Sequence, residues 1–290
     1  MMRGSLAYDG PRTDTHLHLW ERGVSDYAWL SPADELFADF PAALAEVELA
    51  GAGIDRAVLV QADDTERDTR YLLDVADQND WVAGVVGWVP LADPVVAAAR
   101  LDGFAVEGAL RGVREMIHVS ADRDYLTRSD VRESLTAIAA RDLAFDIPDA
   151  WPNHLHAVPA LADALPDLTI VLDHLGKPPS STVEYAHWRE LLAECAARPN
   201  VVAKFSGLSE YSRTGGGDSM RALLNGALDA FGSERICWGS DWPISTKFDD
   251  YGEIWSGAAA LIAELSASEQ RDILFGTAAR TYRLDTRDEL

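Results

Sequence analysis

The chain of 290 residues is 48% hydrophobic, which is enough for a large packed core, and its length fits one large domain or two ordinary ones. Its formal charge of −23 at pH 7 argues against nucleic acid or an anionic membrane surface as a partner. Two cysteines, Cys195 and Cys237, give no disulfide framework and suit a reducing cytoplasm. No apolar run has the length of a signal core or a membrane span, so we expect a cytoplasmic location.

Apolar runs and amphipathic segments alternate along the chain. The first run predicts a strand ending in His16 and His18, and a long loop rich in Trp, Pro and acidic residues follows over 21–41. The predicted strands cover residues 12–18, 54–61, 82–89, 110–114, 143–147, 168–173, 201–206 and 235–239. The predicted helices cover residues 42–52, 65–79, 94–101, 129–141, 156–165, 183–198, 218–231, 251–265 and 268–275.

Eight nearly continuous apolar strands, each followed by a helix or a helix-like spacer, predict a parallel sheet that is covered on its outside. Eight such units in one chain of this length indicate a closed (β/α)8 barrel of the TIM type. We predict a single domain over residues 1–290, with a core from about residue 12 to 284. The alternative is a doubly wound open sheet, which usually carries a glycine-rich phosphate turn after its first strand. Here the His pair stands in that place.

The active site of such a barrel lies at the carboxyl ends of its strands. His16 and His18 are two residues apart on a strand, so their side chains share one face and can converge as metal ligands do. His174 follows the sixth strand and Asp241 follows the eighth. Three imidazoles and a carboxylate form a ligand set for a divalent metal ion, and the carboxylate also suits a general base. We predict both catalytic and metal-binding roles for these four residues. The alternatives are chance spacing of the His pair, a core role for His174 and a helix cap for Asp241.

Other polar residues also stand near the strand ends. Arg111 and Arg114 are candidates to bind a substrate carboxylate or a developing oxyanion. They are three residues apart on a strand and face opposite ways, so we expect only Arg114 to enter the barrel mouth. Asp146 and Asp173 suit supporting roles, and Asp173 suits the orientation of an imidazole. The remaining histidines fall on loops and helices, where we expect no ligand role: His118, His154, His156 and His187. Of these, only His154 follows a strand closely enough to reach the mouth.

Aromatic residues near the predicted strand ends are candidates to wall a pocket. Trp20, Trp29 and Trp242 can stack against a sugar ring, and the alternative for each is a place in the core. Tyr211 lies in a glycine-rich loop after the seventh strand that can close over a ligand. We predict that all four contact the substrate.

Five blocks of the sequence resemble the amidohydrolase superfamily, and the similarity covers nearly the whole chain, from Thr13 to Tyr282. Within it they are similar to the amidohydrolase-related branch of sugar-lactone and 2-pyrone-4,6-dicarboxylate lactonases, as is the stretch VAGVVGWVPL at 82–91. The blocks are DTHLHLW at 14–20, GVR at 112–114, LDHLGKP at 172–178, KFSGL at 204–208 and WGSDWP at 238–243.

This resemblance implies a distorted (β/α)8 barrel with His16, His18, His174 and Asp241 as its central constellation. Many superfamily members bridge two metals with a carbamylated lysine on strand four and add a histidine on strand five. Here those strands offer Arg114 and Asp146, so we expect no binuclear site. Two forms stay open: a single divalent ion such as zinc, and metal-independent chemistry by the His and Asp side chains themselves.

The predicted reaction is the hydrolytic opening of a lactone ring, with Asp241 taking the proton of the attacking water. Few basic residues stand near the mouth, which favours a sugar lactone, such as a fucono- or rhamnono-lactone of carbohydrate catabolism, over a pyrone dicarboxylate. One alternative is a metal-dependent non-oxidative decarboxylase of the same superfamily, and another is a non-catalytic barrel that binds a small ligand. The expected partner is a small-molecule substrate, and the sequence leaves a homo-oligomer open.

Overall fold

The computed structural model describes residues 5–105, 108–210 and 219–285. It contains an eight-stranded sheet in which neighbouring strands are parallel and follow the order of the chain. The strands are β1 Thr13–Leu17, β2 Arg56–Val60, β3 Val82–Gly87, β4 Leu110–Arg114, β5 Ala144–Ile147, β6 Ile170–Leu172, β7 Val201–Phe205 and β8 Ile236–Trp238.

The sheet closes where the end of β1 meets the segment that follows β8. The Asp241 N–H donates to the His16 carbonyl (2.8 Å), and the His18 N–H donates to the Trp242 carbonyl (2.7 Å). The closure lies beyond the last residue of β8, so the barrel is distorted at this seam. These contacts confirm the predicted (β/α)8 barrel and exclude the open sheet.

Helices cover the outside of the barrel. They are α1 Ala42–Ala52, α2 Glu66–Gln78, α3 Pro94–Phe104, α4 Ser129–Ala139, α5 Val158–Ala164, α6 Thr182–Ala196, α7 Ser219–Phe231, α8 Tyr251–Ile262, α9 Ala267–Arg271 and α10 Thr277–Thr281. The helix predicted over 268–275 is instead α9 followed by a π-helical turn over Asp272–Gly276, which runs on into α10. Within the described ranges, none of these helices is both long and apolar enough to cross a bilayer.

The strand ends fall one or two residues inside several predicted limits, because the flanking residues form other local hydrogen bonds. The strand predicted from Ile54 begins at Arg56, since the Ile54 N–H donates to the Leu49 carbonyl and completes the end of α1. Gly53 makes this turn possible with a φ of 67°, a left-handed conformation that a residue without a Cβ adopts at little cost.

Two apolar layers hold the barrel. The larger one lies between the strands and the helices. The smaller one fills the barrel itself, where strand residues such as Val86 and Val171 pack against the C-terminal segment through Ala278, Tyr282 and Leu284. This segment therefore closes the end of the barrel opposite to the strand carboxyl ends, and it leaves that other end open for a site.

Candidate active site

The four predicted histidine and aspartate residues meet at the carboxyl ends of β1, β6 and β8. One carboxylate oxygen of Asp241, Oδ1, lies 3.6 Å from His16 Nε2, 3.4 Å from His18 Nε2 and 3.8 Å from His174 Nε2. The two Nε2 atoms of His16 and His18 are 3.0 Å apart. All four side chains are buried, so a single carboxylate faces three imidazoles in a site largely screened from water.

The backbone is strained where it delivers two of these side chains. His174 and Asp241 have φ values of 55° and 61°, in the left-handed region that costs an ordinary residue free energy. Asp14 stabilises the seam between β1 and the end of β8, because its Oδ1 accepts from the His16 N–H (3.1 Å) and the Ser240 N–H (2.9 Å). The Tyr251 hydroxyl of α8 donates to the other oxygen (3.0 Å). Fixed partners of this kind hold strained residues in place.

Hydrogen bonds set the orientation of the imidazoles. The Nδ1 of His18 lies 2.8 Å from the Val60 carbonyl, which can only accept, so this Nδ1 carries the proton and Nε2 offers a lone pair. The Nδ1 of His16 lies 3.1 Å from Lys204 Nζ and 3.2 Å from Asp173 Oδ1. The Nδ1 of His174 lies 2.9 Å from Ser206 Oγ. Each ring therefore turns its Nε2 towards Asp241.

A buried charge network lies beneath the histidines. Lys204 on β7 contacts Asp146 Oδ2 (2.6 Å) and Asp173 Oδ1 (3.1 Å). Arg114 on β4 contacts Asp173 Oδ2 (3.3 Å), and the Tyr282 hydroxyl donates to Asp146 (2.8 Å). Burial by itself lowers the pKa of Lys204, but the two carboxylates outweigh it and raise the pKa, so the side chain stays an ammonium.

The electrostatics keep His16 and His18 neutral and the Asp241 carboxylate ionised. Burial lowers the pKa of His16 well below its ordinary value and also lowers the pKa of His18. Burial raises the pKa of Asp241, yet the electrostatic interaction with His174 and the contact with His18 outweigh this effect and leave the pKa below its ordinary value. Neutral imidazoles and an anionic carboxylate are the protonation states that bind a metal ion.

The donor set fits one divalent ion. One ligand atom each from His16, His18 and Asp241 lies within 4.8 Å of the others. Nitrogen and oxygen donors of these types suit zinc and related ions. His174 stands beside this three-residue cluster through its contact with Asp241.

A cavity of about 470 Å³ opens above the four residues. Its described lining includes His18, His174, Asp241 and Arg114 at the floor. One wall is apolar, with Trp20, Ala28, Trp29, Ala62, Met116, Val119, Pro148 and Ile244. Polar groups complete the lining through Asp63, His118, Asp149 and Lys177. A volume of this order suits a small-molecule ligand.

The structure does not bring all the predicted substrate contacts to this cavity. Arg111 lies at the opposite end of β4, where its guanidinium donates to the Gly108 carbonyl (2.7 Å), so it does not reach the mouth. Trp242 is buried in the core against Phe40, with ring centres 5.5 Å apart, and it does not line the cavity. Tyr211 lies outside the described residues. His154 is buried and contacts the Ile117 carbonyl (2.9 Å) from its Nε2.

Sequence reasoning missed four polar residues of the cavity, of which Asp63 comes from the loop after β2. His118, Asp149 and Lys177 come from the loops after β4, β5 and β6. His118 carried no strand signal. The other two had a usable one, since Asp149 follows the fifth strand by two residues and Lys177 belongs to the LDHLGKP block.

The fold and the site define a hydrolase-type barrel with a His and Asp centre at its strand ends. The amidohydrolase family model matches residues 13–284, and the chain belongs to this family. This result confirms the family resemblance read from the sequence and the prediction of an enzyme.

Relatives of named activity match nearly the whole chain. An L-fucono-1,5-lactonase of Burkholderia ambifaria is 36% identical over 282 residues, which cover 94% of this chain and 96% of the relative. An L-fucono-1,5-lactonase of Burkholderia multivorans is 32% identical, with the same two coverages. A crystal structure of an amidohydrolase from Burkholderia multivorans with bound zinc is 30% identical, with a TM-score of 0.84, and the match covers 95% of this chain and all of that one.

Proposed function

We propose that this protein hydrolyses the ring ester of a neutral sugar lactone. The observation that carries the proposal is the Asp241 carboxylate, which three imidazoles face at the floor of the cavity. Lactone-ring hydrolysis agrees with the names of the two relatives from Burkholderia. Decarboxylases among the structural neighbours are only 18% identical and share the fold alone.

In the proposed reaction Asp241 accepts a proton from water while the water oxygen bonds to the lactone carbonyl carbon. The carbonyl π electrons move to oxygen, and Arg114 stabilises that negative charge. The charge then returns to the carbonyl, the bond between the carbonyl carbon and the ring oxygen breaks, and the proton on Asp241 passes to the leaving alkoxide. The products are a hydroxy acid and a regenerated carboxylate, so no further reagent is needed.

His16, His18 and Asp241 would hold a zinc or similar divalent ion, which when bound supplies Lewis-acid polarisation of the carbonyl. His174 lies 3.8 Å from Asp241 and orients the reacting groups from the side. A lactone is an activated ester, so the reaction is also within reach of the His and Asp donors alone. The single-ion form is the one that the donor set favours.

The cavity favours a neutral sugar over a dicarboxylate. Its described lining carries three carboxylates, Asp63, Asp149 and Asp241, against two permanent cations, Arg114 and Lys177. Arg114 is already engaged by Asp173 and by the Gln61 carbonyl (2.6 Å). A substrate with two carboxylates would meet repulsion here, whereas a polyol ring gains a tryptophan wall and polar partners.

The proposal extends to the enzyme's location, its pathway and its domain organisation. The two free, buried cysteines suit a reducing compartment, so we place the enzyme in the cytoplasm. A sugar lactone as substrate assigns it to carbohydrate catabolism. We propose a single domain over residues 1–290, and a homo-oligomer stays a prediction.

A pH-indicator assay over a lactone panel tests the function. The panel contains aldono-1,4- and 1,5-lactones in D and L series, a pyrone dicarboxylate lactone and a simple aliphatic lactone. We expect acid release from at least one sugar lactone, and Asp241→Asn should lower kcat/KM by at least about 100-fold. Asp229→Asn, an exposed change on α7, is the matched control. Release of carbon dioxide from carboxylated aromatics, with no acid from any lactone, would refute the proposal.

A further inference from the structure

Three loops build the polar side of the cavity. His118 comes from the loop after β4, Asp149 from the loop after β5 and Lys177 from the loop after β6. All three side chains are half-buried and line the same cavity as the reacting groups. We call these three residues the polar wall. None of them belongs to the histidine and aspartate cluster that can hold a metal.

Two hydrogen bonds connect the three loops. The Trp151 N–H donates to the Gly176 carbonyl (2.9 Å), which joins the loop of Asp149 to the loop of Lys177. The His154 ring contacts the Ile117 carbonyl (2.9 Å), which joins the loop of Asp149 to the turn that carries His118. The polar wall is therefore held in place before any ligand arrives, as a specific binding surface requires.

Two atoms of the polar wall lack a protein partner. His118 Nδ1 and Asp149 Oδ1 are buried and have no hydrogen-bond partner among the described residues. Leaving such an atom unpaired costs free energy, so native structures rarely do so without a reason. A ligand hydroxyl group gives each side chain a partner after a small rotation.

The backbone of the polar wall is also strained. Asp149 and Lys177 have φ values of 39° and 61°. Positive φ at residues other than glycine recurs at functional sites, where surrounding structure holds the strain. His174 and Asp241 of the reaction centre share this property, so four of the eight described non-glycine residues with positive φ line this one cavity.

We infer that His118, Asp149 and Lys177 recognise the ring hydroxyl groups of the substrate and determine which sugar lactone is hydrolysed. A carboxylate accepts from a hydroxyl group, an ammonium donates to one, and a neutral imidazole does either. Adjacent hydroxyl groups can therefore bind in pairs to this wall while the tryptophan wall contacts the apolar side of the ring. The inference rests on the proposed lactonase function and extends it to the specificity of the site.

Deletion of hydroxyl groups from the substrate tests the inference. The kcat/KM is measured for the best lactone of the panel and for each of its monodeoxy analogues, with wild type, Asp149→Asn and Lys177→Met. Asparagine tolerates positive φ and methionine keeps the length of the lysine stem, so both variants preserve the fold. Asp167→Asn, an exposed change before β6, is the control.

We expect wild type to lose about 10- to 100-fold in kcat/KM on at least one monodeoxy analogue, the range for hydrogen bonds to charged groups. A wall variant should lose a similar factor on the full substrate but stay within about threefold of wild type on that analogue. Equal losses on every lactone, or no loss on any, would overturn the inference.

Binding without turnover separates the two proposals. Calorimetric titration with a polyhydroxylated δ-lactam of the same ring, and with its monodeoxy forms, measures how strongly the polar wall binds each hydroxyl group. Binding that depends on Asp149 and Lys177, with no lactone hydrolysed, would support the polar wall and refute the lactonase. Lactone hydrolysis that is insensitive to both residues would do the reverse.

Discussion

Lys204 Nζ lies 3.1 Å from His16 Nδ1, at the bottom of the reaction centre and away from solvent. An ammonium can only donate, so in this contact Nδ1 accepts and the ring proton of His16 lies on Nε2. That Nε2–H then points at the lone pair of His18 Nε2, 3.0 Å away, and His18 donates in turn to the Val60 carbonyl. When His16 binds a metal through Nε2, its ring proton lies on Nδ1 instead. The Nδ1–H then donates a hydrogen bond to Asp173 Oδ1, which lies 3.2 Å away.

Replacement of this lysine should disturb both the reaction and the fold. Lys204→Gln removes the charge that pairs with Asp146 and Asp173 and frees the His16 ring. We expect kcat/KM to fall about 10- to 100-fold, the usual cost of losing a partner that orients a metal ligand. The free energy of unfolding should fall by about 3–5 kcal/mol, because two buried carboxylates lose their cation.

Lactone kinetics and urea unfolding measure these effects. Lys247→Gln is the control, since Lys247 pairs with Asp34 at the surface (2.7 Å) and is distant from the network. Unchanged kinetics in a folded Lys204→Gln protein would show that the lysine does not position His16.

A glycine beside His174 provides a second test. Gly207 has a φ of 58°, and a Cβ at this position would overlap the His174 ring. Gly207→Ala should therefore cost about 1–3 kcal/mol of stability and displace His174, with a fall in kcat/KM. In Gly226→Ala on α7 the new Cβ meets nothing within 4 Å, so this control should be neutral or slightly stabilising. Equal activity of the two variants would argue against a role for His174.

The buried Asp68 links stability to pH. Burial raises the pKa of Asp68 from 3.8 to about 7, against hydrogen bonds from the Ala62 N–H (3.0 Å) and the Tyr27 hydroxyl (2.9 Å). Its folded pKa exceeds its unfolded value, so protonation favours the folded state. The stabilisation is present at low pH and is lost as the pH rises towards 7.

At about 1.4 kcal/mol per pKa unit, ionisation of Asp68 should lower the free energy of unfolding by about 2–3 kcal/mol between pH 5 and pH 8. Urea unfolding of wild type and Asp68→Asn at the two pH values measures the difference. The variant should lose this part of the pH dependence, whereas Asp74→Asn, an exposed change on the same helix, should keep it. Parallel pH profiles for wild type and Asp68→Asn would contradict the assignment.

Metal content is the fourth test. We expect about one divalent ion per chain by elemental analysis of the purified protein. Loss of a residue that only contacts a metal ligand weakens metal binding about 10- to 100-fold. His18→Ala removes a ligand itself, so it should weaken zinc binding by more than that. His187→Ala, exposed on α6, should leave binding unchanged. Full lactonase activity of a metal-free preparation would assign direct catalytic roles to the histidines.

The barrel was predictable because parallel strands buried on both faces leave a strong apolar signal, eight times over. The exact strand ends were not, since hydrogen bonds such as that from Ile54 to Leu49 depend on the neighbouring helix. The convergence of His16, His18, His174 and Asp241 was predictable from the same signal, because the fold brings strand ends together wherever they occur in the chain.

The same signal did not predict the positions of residues outside the strands. His118 lies in a loop whose path no periodicity describes, and Trp242 is buried because the seam between β1 and the segment after β8 folds over it. Arg111 shows the limit of alternation, since position along a strand decides which end of the barrel a side chain reaches.

The hydrogen bond from Tyr282 to Asp146 has a consequence for how the enzyme is made. His16 lies on the first of the eight strands, whereas Tyr282 follows the last of them. A nascent chain that has reached only β8 holds Asp146 with one donor fewer and a barrel open at its base. Completion of the charge network that orients His16 therefore waits for a residue that is translated after all eight strands, so catalytic competence arrives only once the whole barrel has been synthesised.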